Sequence, residues 1–216
     1  MDKLKSWPFA LLTLTLVSII IIEYLGLFNG INAYVYAHTP LINSSWVNII
    51  TQSASFGAFV LYILLFLIWD FKKERKLSLE TLNFTLSIFL GMLLVGVLKA
   101  STDIPRPNEA PLHLTFFQAL LNADYFAFPS GHTTRASILA YFLGGRYPKY
   151  RIALWGYALL IALSRLLLRV HWFSDVLFAL FLGIWVSIIV ESTAKLWLLV
   201  YNSLIEKLKL EVFRVE

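Results

Sequence analysis

The sequence predicts an all-α integral membrane protein, a bundle of about six transmembrane helices. Three observations predict it. Hydrophobic residues make up 59% of the 216 positions and charged ones only 14%, against about 25% charged in soluble domains. The mean hydropathy is +0.73, and apolar runs long enough for a bilayer recur along the chain. Lysine and arginine collect in alternate connections. At roughly 20 apolar residues per span, the length suits one membrane-embedded domain over residues 1–216 with no separate soluble module. The chain has no cysteine, so disulfides and thiolate metal sites are excluded. Its net charge of +5 is read by location, and no nucleic-acid partner is expected.

The expected spans are Trp7–Phe28, Ser55–Phe71, Leu82–Ala100, His132–Gly145, Ile152–Val170 and Ser174–Val200. The first follows Lys3 and Lys5 but is too long for a signal peptide, contains Glu23 and lacks a small-residue cleavage site. The fourth is short, and its helix is expected to begin near Ser130 and to run past Gly145. Orientation follows from the cations, because short cytoplasmic loops collect them. Lys3, Lys5, Lys72, Lys73, Arg75, Lys76, Arg146, Lys149, Arg151, Lys195, Lys207, Lys209 and Arg214 fall on one side, while the Asn32–Ala54 connection holds none. Both termini are therefore expected in the cytoplasm.

Lys99, Arg106, Arg135, Arg165 and Arg169 break that rule, and His132, His171 and Asp175 fall on the same outer side. Charges near a membrane are costly and tend to be functional. "KASTDIPRP" (99–107) ends a helix on Lys99, and its prolines return Arg106 toward it. Taken alone, Lys99 also suits a helix cap snorkelling to the headgroups. "FPSGHTTRA" (128–136) places an N-cap serine, Ser130, before Gly131 and His132. Free N–H groups at a helix start make an anion site, whereas a plain capped turn leaves His132 without a reason. "SRLLLRVHWFSD" (164–175) spaces His171 and Asp175 four apart, on one helix face. A carboxylate there can hold the imidazole Nδ1–H and free Nε2; a histidine–aspartate helix cap is the alternative.

Together the three stretches bring cations, two histidines and a carboxylate to one membrane face. Cations around a point suit a phosphoryl group, His171 backed by Asp175 supplies a nucleophile, and His132 can protonate the leaving oxygen. The site reads as phosphoryl transfer.

The three blocks resemble the type 2 phosphatidic acid phosphatase family, relatives of the vanadium-dependent haloperoxidases. The blocks are Lys99 with Arg106-Pro107, then Pro129-Ser130-Gly131-His132, then Ser164-Arg165 with His171 and Asp175. The resemblance implies a phosphohistidine on His171, with Asp175 orienting its ring and His132 as general acid. It implies a phosphate held by Lys99, Arg106, Arg165, Ser130 and the Gly131 N–H, with no cofactor and no metal. It also implies an active site at the extracytoplasmic membrane boundary. Ala179 stands where many relatives have glycine, which bears on local helix packing. Arg135 and Arg169 lie outside the blocks and are read as supporting or headgroup contacts; His38 and His113 match no block.

A lipid phosphate is the expected substrate, and membrane lipids are the expected surroundings. Two classes fit: polyprenyl (pyro)phosphates, such as undecaprenyl diphosphate, and glycerophospholipid phosphates, such as phosphatidylglycerol phosphate or phosphatidic acid. The carrier-lipid diphosphate comes first, because it is released on the outer face. The apolar, aromatic segment 112–128 is expected either to wall or lid the lipid tails or simply to pack on the bundle. A lipid phosphoryl transferase using the same site is the alternative function.

Overall fold

A computed structural model of the chain describes residues 2–73, 75–112 and 114–215. The reading of His113 as background lies outside them. The described residues form ten α-helices joined by turns and short 3₁₀ segments, with one isolated β-bridge between Pro105 and Phe126. The helices are α1 (Trp7–Tyr24), α2 (Asn29–His38), α3 (Ser45–Gln52), α4 (Phe56–Lys73) and α5 (Leu79–Thr102). They continue with α6 (Phe116–Leu121), α7 (Gly131–Arg146), α8 (Arg151–Leu167), α9 (Phe173–Ser192) and α10 (Ala194–Lys207).

Four described helical stretches are long and apolar enough to cross a membrane: Trp7–Tyr24, Leu79–Thr102, Pro148–Leu167 and Phe173–Ser192. The pair α3–α4, bent by 50°, makes a fifth. Expected span 132–145 is the exception. It is α7, with 16 residues, about 24 Å at 1.5 Å per residue against a hydrocarbon core of about 30 Å. The helix packs between α5, α8 and α9, so protein rather than lipid covers it. That explains how it carries Thr133, Thr134, Arg135 and Ser137, all buried, without being a long apolar run.

Close packing of α7 on α9 rests on Gly183. A Cβ there would stand 2.5 Å from the Ser137 Cβ and 2.8 Å from the Thr134 carbonyl oxygen. The packing question raised by Ala179 is answered one turn later. Ala179 is itself fully buried, and Gly183 supplies the close approach.

Two expectations change. The apolar run expected to continue to Val200 breaks at Thr193, whose hydroxyl donates to the Ile189 carbonyl at 2.7 Å. The Trp197 indole then donates back to the Val190 carbonyl at 3.0 Å, which ties the start of α10 to the end of α9. The connection 32–54 is largely helical. Asn32 of α2 and Val47 and Thr51 of α3 are its buried residues within those helices. Val47 and Thr51, four apart, share the face that packs on α8.

Candidate active site

Lys99 lies in the last turn of α5, which ends on Asp103 in the left-handed region at φ 53°. The ammonium donates to the carbonyls of Ala123, at 3.0 Å, and Phe126. Segment 103–107 is held from both sides: Ala127 N–H donates to the Ile104 carbonyl at 2.8 Å, and the Trp172 indole donates to the Pro105 carbonyl at 2.9 Å. Arg106 is thereby returned to Lys99, and its Nε is buried without a protein partner. Segment 112–128 includes α6, whose Phe117 and Leu121 are exposed while Ala119 is buried. Its far end provides the carbonyls that hold Lys99.

The start of α7 follows a cis Phe128–Pro129 peptide. Ser130 caps the helix, its Oγ accepting from the Thr133 hydroxyl at 3.0 Å and, longer, from the Thr133 N–H at 3.5 Å. The Ser130 N–H donates to the Asp175 carbonyl at 3.2 Å, joining the starts of α7 and α9. A Cβ on Gly131 would meet nothing closer than 3.6 Å, so no protein neighbour excludes a side chain there; the glycine lines a cavity.

His171 precedes α9. Its Nδ1 lies 3.0 Å from Asp175 Oδ2, which also accepts from the Trp172 N–H at 2.7 Å. Asp175 is 0% exposed and His171 4%. An ionised carboxylate can only accept, so the pair selects the Nδ1–H tautomer and leaves the Nε2 lone pair free. Burial above all, then the positive charges of Arg165, Lys99 and Arg106, holds the His171 imidazole well below its ordinary range of about 6.5. The ring is thus neutral at pH 7. Asp175 Oδ1 is buried without a partner, a desolvation cost of about 1–3 kcal/mol.

These elements enclose a cavity of about 310 Å³ lined by Lys99, Arg106, Arg135, Arg165, His132 and His171, with Gly131 on its wall. Met92, Val95 and Phe56 add an apolar side, and Asp124 is the one carboxylate among the lining residues. The balance is strongly positive. At an effective dielectric of 20, a unit charge pair at 4 Å is worth about 4 kcal/mol, so four cations against one carboxylate favour a dianion. Of the residues singled out from sequence, Ser130 and Asp175 stand behind this wall: Ser130 is fully buried in its cap, and Asp175 lies under His171. None of the described hydrogen bonds involves His132, which leaves its ring nitrogens to the cavity.

Several contributors carry no spacing pattern in the sequence. Thr51 accepts from Arg165 Nη1 at 2.7 Å. The Ala54 carbonyl accepts from Arg135 Nε at 2.9 Å, and Met92 Sδ lies 3.0 Å from Arg135 Nη1. Asn32 clasps the first turn of α9 at two points: its amide donates to the Ser174 hydroxyl at 2.9 Å, and its carbonyl accepts from the Ser174 N–H at 3.0 Å. Arg169 is elsewhere, donating to the Thr39 carbonyl and lying over the Tyr36 ring. Among the described residues there is no group of three or more His, Asp or Glu side chains placed to hold a metal ion.

A helical membrane bundle with a neutral, carboxylate-backed histidine beside clustered cations defines a phosphoryl-transfer class of integral membrane protein. The chain belongs to the PAP2 superfamily, which matches it over residues 80–197. It is similar to the lipid A 1-phosphatase of Rhizobium etli, 30% identical over 108 residues, covering 49% of this chain and 46% of that protein. A Rhizobium johnstonii lipid A 1-phosphatase is 30% identical over 104 residues, covering 47% of this chain and 42% of that one. The matches therefore span less than half the length of these curated relatives. Among solved structures, the PAP2-type phosphatidylglycerolphosphate phosphatase of Bacillus subtilis shares the fold. Its TM-score is 0.70 at 23% identity, covering 88% of this chain and 97% of that one. Aquifex aeolicus LpxE gives a TM-score of 0.56 at 26% identity, covering 76% and 93%.

Proposed function

We propose that the chain is a membrane lipid phosphatase that works through a phosphohistidine on His171. The carrying observation is the buried His171 Nδ1–Asp175 Oδ2 pair, 3.0 Å apart, on the wall of a cation-lined cavity. The Nε2 lone pair attacks phosphorus as the bond from phosphorus to the lipid oxygen breaks. His132, protonated once the bound phosphate offsets the cations beside it, gives its proton to that oxygen, and Asp175 stabilises the charge gained by the His171 ring. Neutral His132 then takes a proton from water as the water oxygen attacks phosphorus. The P–N bond breaks, and inorganic phosphate leaves with both histidines restored. Lys99, Arg106 and Arg165 hold the phosphoryl oxygens, with the Gly131 N–H at the helix start. Ser130 serves this arrangement as the cap that sets the helix start.

The lysine and arginine pattern supports cytoplasmic termini and a cavity on the extracytoplasmic face. Lipid substrates are supported by the apolar side of the cavity and by the relatives, named for lipid A and phosphatidylglycerolphosphate. The test is phosphate release by detergent-purified protein and by His171→Ala, with chelator present. The panel holds a polyprenyl diphosphate, a polyprenyl monophosphate, phosphatidate, phosphatidylglycerol phosphate and lipid A. Release by the wild type alone is expected, and the ranking identifies the substrate. No release from any of them overturns the hydrolase reading in favour of transfer to an acceptor.

A further inference from the structure

Among the described residues that line the cavity, Arg135 is the one cation outside the three sequence blocks. It follows His132 by three residues on α7, so the two share a helix face. Long helical side chains lean toward the helix start, and this one reaches it: a Cβ on Gly131 would stand 3.6 Å from Arg135 Nη1. The residue is 6% exposed and is held by uncharged atoms, Nε by the Ala54 carbonyl at 2.9 Å and Nη1 against Met92 Sδ at 3.0 Å. Nη2 makes none of the described hydrogen bonds and, unlike the Nε atoms of Arg106 and Arg165, is not fully covered. Asp124, the carboxylate on the cavity wall, is exposed and forms no described ion pair with it. A buried cation at the positive end of a helix dipole calls for an anion.

In the proposed reaction Arg135 stands on the leaving-group side. Arg165 and Arg135 are the cations that act most strongly on His132, whereas His171 feels Arg165, Lys99 and Arg106. The apolar wall lies on the same side, since a Cβ on Gly131 would also meet Met92 Sδ and Val95 Cγ1, each at 3.8 Å. With His171 as nucleophile and His132 as acid, the lipid part of the substrate departs past Arg135. Lys99, Arg106 and Arg165 remain with the phosphoryl group under attack.

We infer that Arg135 is a specificity residue that binds a second phosphate, and that the substrate is a lipid diphosphate. The inference rests on the hydrolase reading for the direction of departure. His171 Nε2 bonds to the terminal phosphorus, and the bond from that phosphorus to the bridging oxygen breaks. The electron pair stays on that oxygen, His132 gives it a proton, and a lipid monophosphate leaves against the Arg135 fork. Water then releases inorganic phosphate from His171. A lipid monoester would leave as an alcohol and place no anion at Arg135.

The test compares farnesyl diphosphate with p-nitrophenyl phosphate on the detergent-purified full chain. Both have acidic leaving groups, and only the first carries a second phosphate. Arg135→Gln retains a donor for the Ala54 carbonyl. It should lower the kcat/KM ratio of diphosphate to aryl phosphate about 10- to 100-fold, the worth of a hydrogen bond to a charged group. Arg135→Lys, with the charge but no fork, should fall between it and the wild type. Arg165→Met removes a cation common to both substrates and should lower both alike. The wild-type ratio in either Arg135 variant, or a similar loss on both substrates, overturns the inference. Calorimetry with inorganic diphosphate and inorganic phosphate separates it from the hydrolase reading, because binding needs no turnover. The wild type should bind diphosphate about tenfold tighter than phosphate, and Arg135→Gln should bind the two about equally. That pattern without turnover of either substrate overturns hydrolysis alone, whereas equal affinities in the wild type overturn the second-phosphate site.

Discussion

The two ends of the bundle treat their cations differently. Opposite the cation-lined cavity, Lys3 and Arg146 meet carboxylates, Glu191 and Glu80. In the cavity, Lys99, Arg135 and Arg165 are steadied by neutral oxygens: the carbonyls of Ala123, Phe126 and Ala54 and the hydroxyl of Thr51. A carboxylate partner cancels charge, whereas a carbonyl or hydroxyl fixes position and leaves the charge whole. At the first end the charges of Lys3 and Arg146 are cancelled in pairs. The other leaves the charges of its cations uncancelled by these partners.

The comparison can be broken most severely at His171. His171→Ala should reduce phosphate release to background, a loss of roughly 10⁴ or more, and should abolish transfer of radiolabelled phosphate onto the protein. Labelling that survives would move the nucleophile elsewhere. Asp175→Asn is expected to lower kcat by roughly 10⁴, by analogy with hydrolase triads in which the wrong tautomer results. A loss under tenfold would separate the carboxylate from the chemistry.

Smaller effects sharpen the contrast. Thr51→Val removes the neutral acceptor of Arg165 without touching a charge. Losing one buried hydrogen bond to a charged group costs about 1.5–3 kcal/mol, so kcat/KM should fall by roughly 10- to 100-fold with the fold intact by circular dichroism. An unchanged kcat/KM would show that the acceptor does not position Arg165. The state of the His171 ring is directly visible in ¹⁵N spectra. A ring held well below pKa 6.5 stays neutral as pH falls through 6.5, so at pH 6 His171 should remain the Nδ1–H tautomer. Protonation between pH 6 and 7 would contradict the effect assigned to burial and the three cations. Least sensitive is the opposite end. Lys3→Gln and Glu191→Gln, singly and together, should show a coupling of about 1 kcal/mol or less and unchanged turnover, because both side chains are partly exposed.

Much of the architecture was legible because membrane spans are written as long apolar runs, and the candidate site because its residues recur at fixed short spacings. Lys99 and Arg106, or His171 and Asp175, are related along the chain before they are related in space. Thr51, Asn32 and the carbonyls of Ala123 and Phe126 are not. They reach the site only when α2, α3 and α6 fold back, and a single hydroxyl or backbone oxygen leaves no pattern. The break at Thr193 coincides with the polar residues Glu191, Ser192 and Lys195, a signal outweighed by the apolar residues on either side of them. The shortness of α7 was visible, but its central position was not, because a span covered by neighbouring helices does not need the apolar surface that marks one facing lipid.

Gly183 lies two turns beyond Asp175 and touches neither the cavity nor its charges, yet a methyl group there would collide with Ser137 and with the Thr134 backbone. α7, which bears His132, and α9, which follows His171, would have to part before it could fit, since overpacking at a close contact forces backbone shifts. In engineering terms Gly183 is the spacer of the machine. The spacing of α7 and α9 beside the cavity lined by His132 and His171 is gauged at a position outside its wall, by the absence of a side chain.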